Sequence, residues 1–240
     1  MKKTLILFSA LLGASLHSHA QTADDIISKN IAAMGGLDKL NSIKTLYMED
    51  SVNAGSMKIP VKIWGINIKA MRVEFSVTGM TGFQILRNDS GWGFAPFQGQ
   101  KVAEPITADE VKKGQTELYL TDAFVNYKEK GYKVTYEGKD ETEGSESYKI
   151  KVTIGDSAAK TYYIDPDTYY VLQVKEKMTM NGKTVESTQT LSDYKKTPDG
   201  YVFPMETSNS GFGEMKTYVV KINSEFDNKI FSPSVKVVGK

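Results

Sequence analysis

The sequence predicts a mainly β, α+β protein: one curved antiparallel sheet with a single buried face, covered by N-terminal and central helices. Three observations predict it. Hydrophobicity alternates with period two over most of the chain after Thr45. Tight-turn signals separate the alternating runs. Helical spacing is confined to the stretch before Ile43 and to an insert after Thr107.

The elements follow in order. Thr22 is placed to cap a first helix, with Asp24 and Asp25 at the positive end of its dipole. Ile26, Ile27, Ile31 and Met34 form its apolar face, and Gly35-Gly36 stops it. A second short helix is predicted over Leu37 to Ile43. Met57, Ile59, Val61 and Ile63 then alternate with Lys58, Pro60, Lys62 and Trp64, and Met71, Val73, Phe75 and Val77 with Arg72, Glu74 and Ser76. Phe83 to Arg87 and Trp92 to Phe97 flank a turn at Asn88-Asp89-Ser90-Gly91. Further on, Tyr148, Ile150, Val152 and Ile154 form one apolar row, and Tyr170, Leu172, Val174, Met178 and Met180 another. Asn181-Gly182 is a two-residue hairpin signal, and Asp165-Pro166-Asp167 and Pro198-Asp199-Gly200 mark turns. The meander is interrupted where Thr107 and Glu110 form a capping-box pair. After it, Leu120, Ala123, Phe124 and Tyr127 have the spacing of an amphipathic helix.

Residues 1–20 read as a secretion signal. Lys2 and Lys3 precede an apolar run, and Ser18-His19-Ala20 supplies the small residues of a cleavage site. The run is too short for a membrane anchor. Residues 21–240 are read as one exported domain in the periplasm. Both histidines, His17 and His19, lie in the signal, and the chain contains no cysteine. A Ser-His-Asp or Cys-His site and a His/Cys zinc centre are therefore excluded from the mature chain.

Removing the signal takes two lysines and no acids, leaving 28 basic against 29 acidic side chains. Only Arg72 and Arg87 are arginine. A nearly neutral, arginine-poor chain is not built for nucleic acid. Asp140, Glu141, Glu143 and Glu146 sit in a turn between strands, where solvated charge is the expectation, and Asp165 with Asp167 belongs to a turn instead of a calcium site. Gly79-Met80-Thr81-Gly82 lacks the Gly-Lys-Ser/Thr of a phosphate loop. No catalytic, metal or cofactor constellation emerges, and the expectation is a binder, not an enzyme. An enzyme would require a carboxylate or lysine of shifted pKa in a cleft.

Several stretches resemble the LolA/LolB-like family of outer-membrane lipoprotein sorting proteins, in its Bacteroidetes-type members: "ADDIISKNIAAMGGLDKLNSI" from Ala23, "GWGFAPF" from Gly91, "YYIDPDTYYVLQVKEKM" from Tyr162, "DYKKTPDGYVFPMET" from Asp193 and "INSEFDNKIFSP" ending at Pro233. The resemblance implies a half-open barrel lidded by helices, with an apolar cavity for acyl chains and no catalytic residues. The family's carriers have an Arg-Pro pair in an early strand, associated with gating the lid. The comparable stretch here, "GINIKAMRVEF", lacks it, and the role is not transferred to Arg72.

The expected function is thus a monomeric periplasmic carrier or chaperone for the acyl chains of lipoproteins or another lipid, with envelope membrane proteins as further partners. The alternative is a non-enzymatic interaction or envelope-sensor module on the same fold, with a collapsed core. Candidate cavity residues from the strands are Phe75, Phe83, Ile85, Trp92, Phe94, Leu172, Met178 and Met180. The cover helices add Leu120 and Phe124.

Overall fold

The structure, a computed structural model, describes residues 22–233 except 157, 181–182 and 211–212, and leaves out the side chains of 178–180 and 183. The expected signal segment and the Asn181-Gly182 turn lie outside the described residues.

Two short helices come first, α1 (Ala23–Ala33) and α2 (Leu37–Asn41). The cap of α1 is reciprocal: Thr22 Oγ1 accepts from the Asp25 amide at 3.1 Å, and Asp25 Oδ2 accepts from the Thr22 amide at 3.2 Å. Gly35 and Gly36 take φ of 121° and 94°, so the chain leaves the helix where only glycine fits without strain.

The first meander comprises β1 (Thr45–Ala54), β2 (Met57–Ile66), β3 (Ala70–Val77), β4 (Met80–Arg87), β5 (Gly91–Phe94) and β6 (Glu104–Pro105). An insert containing α3 (Ala108–Gly114) follows. The second meander runs through β7 (Lys133–Thr142), β8 (Ser145–Ile154), β9 (Ala158–Ile164), β10 (Val171–Met180), β11 (Lys183–Lys196), β12 (Val202–Asn209) and β13 (Gly213–Ile222). All pairings are antiparallel. β1 pairs with β13, which joins the meanders into one thirteen-stranded sheet with β6 and β7 at its edges. The sheet does not close.

Two expectations are corrected. The segment predicted as a helix through Leu120, Ala123, Phe124 and Tyr127 instead forms a 3-10 turn, Gln115–Leu118, and then consecutive turns over 123–131. Asp122 Oδ1 accepts from the Phe124 amide at 3.1 Å, and Asn126 has φ of 55°, a left-handed step that a right-handed helix cannot pass through. The strand predicted to Phe97 ends at Phe94, because Pro96 opens a 3-10 turn over Pro96–Gln98.

Register separates the two faces of the sheet, since directly paired residues share a face. Thr217, Asp50, Val61, Phe75 and Gly82 form one row across β13-β1-β2-β3-β4. The same face continues through Met215, Thr207, Leu191 and, two residues along β11, Gln189. From there it passes to Val174, Tyr162 and Ile150. This inner face carries the helices. Over β8–β10, Ile26 and Ile27 of α1 and Phe124 of the insert bury Ile150, Val152, Tyr162 and Ile164. At one end of β12 and β13, Leu40, Ile43 and Val125 pack with Tyr201, Phe203 and Ile222. Leu120 comes so close to the backbone of β2 that a β-carbon on Gly65 would lie 2.5 Å from its Cδ2.

The outer face has a core of its own. Ala70, Phe83, Ile85 and Phe94 pack with Trp64, Trp92 and the C-terminal residues Phe226, Ile230 and Phe231.

Candidate functional site

Away from α1, α2 and the insert, the inner face is apolar but incompletely covered. Met48 and Val52 on β1, Ile59 and Ile63 on β2, Val73 and Phe75 on β3, and Met205 and Met215 on β12 and β13 are all half-buried. The shorter side chains between them, Val61, Thr217 and Asp50, are buried. Long residues therefore flank a floor of short ones.

Asp50 is the unexpected member of that floor. Its residue is 4 % exposed, and neither carboxylate oxygen has a hydrogen-bond partner of acceptable geometry. Burial pushes its pKa up to about 6, against a smaller opposing pull from the Thr217 hydroxyl. A bulge sets this arrangement. Glu49 pairs with Val219 but Asp50 with Thr217, so Tyr218 is looped out. The signal was present in the sequence: Leu46, Met48, Asp50 and Val52 alternate as an inner row with an acid at one apolar position.

A second, polar site lies where the insert meets β8 and β9. A cavity of about 210 Å³ is lined by Glu117, Asp122, Lys130, Lys160 and the rings of Tyr119, Tyr132 and Tyr162, among others. An adjoining space of about 300 Å³ shares Thr116, Tyr119, Lys130, Tyr132 and Ile154 with it. Desolvation raises the pKa of Glu117, opposed by the Lys160 ammonium. It also raises that of Asp122, opposed by the Phe124 amide and by Lys160 and Lys130. Burial lowers that of Lys130, which donates to the Asp122 carbonyl at 3.3 Å and lies 4.3 Å from the Tyr119 ring centroid. Lys160 pairs with Glu176 at 3.6 Å. Shifted carboxylates and a shifted lysine in one cleft are what an enzyme would require, so acid-base chemistry keeps a physical basis here. No group of three or more His, Cys, Asp and Glu suited to a metal occurs among the described residues.

The residues singled out from sequence divide among these regions. Phe75 lies on the inner face with its ring 5.7 Å from that of Phe97. Leu120 and Phe124 belong to the cover, and Phe124 meets Tyr162 at 4.3 Å between ring centroids. Leu172 is half-buried at a bulge of β10. Phe83, Ile85, Trp92 and Phe94 lie together in the outer core, on the opposite face from Phe75. The side chains of Met178 and Met180 lie outside the described residues. None of the eight whose side chains are described lines either polar space. The acidic stretch at Asp140 to Glu146 forms the β7–β8 hairpin, with those four acids exposed. Asp165 Oδ1 accepts from the amides of Asp167 and Thr168, as a turn requires.

Arg72 also faces outward, opposite Trp64 and Ile85. Its guanidinium lies 4.1 Å from the Phe83 ring centroid, pairs with Glu74 at 2.7 Å and donates to the Ile230 carbonyl at 3.0 Å. It ties the C-terminal segment to the outer core and is turned away from the uncovered inner face.

Strand order, an open sheet and helices on one face can be compared with solved structures. A LolA superfamily protein from Nitrosomonas europaea superposes with a TM-score of 0.56 at 11 % identity, over 89 % of this chain and 98 % of that one. The fold is LolA-like. An outer membrane lipoprotein-sorting protein domain from Vibrio parahaemolyticus gives 0.54 at 15 % identity, over 87 % and 95 %. A DUF1329 family protein from Desulfovibrio piger gives 0.55 at 12 % identity, over 86 % and 95 %. No family model and no curated protein matches the sequence. At these identities the likeness is one of fold. No helix among the described residues is long and apolar enough to cross a membrane.

Proposed function

We propose that this protein is an exported periplasmic carrier that holds the acyl portion of a lipid or lipoprotein on the uncovered inner face of its LolA-like sheet. The observation that carries this reading is the set of half-buried apolar side chains from Met48 to Met215, on a face whose other parts are sealed by helices. Lining by Phe75, Leu120, Leu172, Met178 and Met180 belongs to the proposal, while Phe124 lies in the sealed part of the face. Phe83, Ile85, Trp92 and Phe94 support the same sheet from behind. Each methylene transferred from water to that face contributes about 0.8 kcal/mol before ordering costs. The lipoprotein-sorting domain among the similar structures supports the same assignment.

Native mass spectrometry of protein purified from a membrane-containing lysate tests it, alongside uptake of a fluorescent fatty-acid probe. Co-purifying lipid or saturable uptake is expected. Recovery of ligand-free protein that takes up no probe overturns the reading. It would favour the alternative, an interaction module, which already draws support from the four predicted lining residues packed in the outer core.

A further inference from the structure

The inner face carries a charge that its own packing does not explain. A buried carboxyl without partners costs about 1–3 kcal/mol or more, and native structures retain few such groups. Asp50 sits at the centre of the floor, on the middle of a ten-residue strand. Its neighbours on the face are Thr217 on β13, Val61 on β2 and, along its own strand, Met48 and Val52. Beyond Val61 stands Phe75 on β3. None of these is charged. The nearest charged residues along the three strands, Glu49, Lys62 and Lys216, alternate to the outer face. The elements reaching this face at the other end of the strands present Leu40, Ile43 and Leu120. Among the described residues no cation answers Asp50.

We infer that Asp50 is the selecting group of the site, accepting a primary ammonium from an amphiphile whose apolar body lies along the inner face. This rests on the carrier reading and names its ligand more narrowly. The chemistry follows from the surroundings. An ionised carboxylate only accepts hydrogen bonds, so its ligand must donate. In an apolar setting a charge-assisted bond to an ammonium is stronger than one to a hydroxyl. A fatty acid would bring a second negative charge to the same place, so its chain binds the same surface more weakly than that of a fatty amine or alcohol. Protonation of Asp50, centred at about 6, removes the selection without removing the apolar surface.

The test is competition by hexadecylamine, hexadecanol and palmitic acid against a bound fluorescent fatty probe on the purified protein. At pH 7.5 the amine should displace the probe at a concentration about ten-fold below that of the alcohol, equivalent to ~1.4 kcal/mol. The acid should be the weakest. The amine's advantage over the alcohol should shrink on lowering the pH to 5. Asp50→Asn should bring amine and alcohol together while still binding both. Equal competition by all three ligands overturns the selection and leaves the carrier reading standing. An amine preference that survives Asp50→Asn or is constant with pH overturns it as well. Failure of the three ligands to displace a bound probe overturns the selection alone, and failure of the probe itself and of all three to bind overturns both. The pH series on the unmutated protein keeps the test decisive if the variant does not fold.

Discussion

The inner face of the sheet is finished over β8–β10 and unfinished over β1–β3 and β12–β13. Both halves have the same alternation and comparable apolar content. Under α1, Ile26, Ile150, Val152 and Ile164 are completely enclosed, whereas Ile59, Ile63, Val73 and Met215 remain half-buried. The polar groups differ in the same way. Asn30 of α1 donates to the Tyr169 carbonyl at 2.7 Å, while neither oxygen of Asp50 accepts a hydrogen bond of good geometry and only the Thr217 hydroxyl pulls on it. One half is arranged as a core, with its polar groups satisfied. The other keeps apolar surface and a carboxylate in a state that costs stability, which is how binding surfaces commonly differ from cores.

The largest effect expected from this contrast is on stability. Phe124→Ala removes a ring that is 1 % exposed and packed on Tyr162, and should cost about 3–5 kcal/mol in urea unfolding. Phe75→Ala, on the open half, should cost less than half as much yet weaken probe uptake. Equal destabilisation by the two would show that the open half is a core like the other. Loss of uptake in Phe124→Ala alone would move the site beneath α1.

How much of this was legible depends on whether the signal was local. The Thr22 cap, the Gly35-Gly36 stop, the Thr107 capping box and the paired strands follow from residues a few positions apart, and the sequence predicted them. The face each strand presents inward is not local. Phe83, Ile85 and Trp92 alternate correctly, but alternation names two sets of positions without saying which meets the helices. The outer core has no local signal because it is completed by Phe226, Ile230 and Phe231, far along the chain. The insert misled because apolar spacing survives in its turns, while the left-handed Asn126 that ends helical continuity leaves no hydrophobic trace. The polar cavity needs Glu117, Asp122 and Lys130 brought against Lys160 and Tyr162 on β9, again a long-range juxtaposition.

The next effect concerns pH. Asp50 has a folded pKa raised from 3.8 to about 6. The folded state therefore holds this proton more tightly than the unfolded one. The stability it contributes is full below about 4 and is lost as pH rises through about 6. Two units correspond to a loss on the order of 2–3 kcal/mol. Asp50→Asn should remove this dependence, so that the variant gains on the parent protein between pH 4 and pH 7.5 in paired urea titrations. A stability difference that does not change with pH would mean Asp50 is already neutralised by a partner, and the two halves would no longer differ in polar satisfaction.

The smallest effect tests whether the finished half owes its closure to α1. Thr22→Ala removes the side-chain half of the capping box and should cost about 1 kcal/mol. Asp24, which pairs with Lys128 at 2.7 Å and accepts from the Tyr127 hydroxyl, still ties the helix to the insert. The loss should therefore appear as faster hydrogen exchange in α1 and in the strands beneath it, with β1–β3 unchanged. If β1–β3 exchanged faster to the same degree, the sheet would open as one unit, and the unfinished half would be held by the same cover as the finished one.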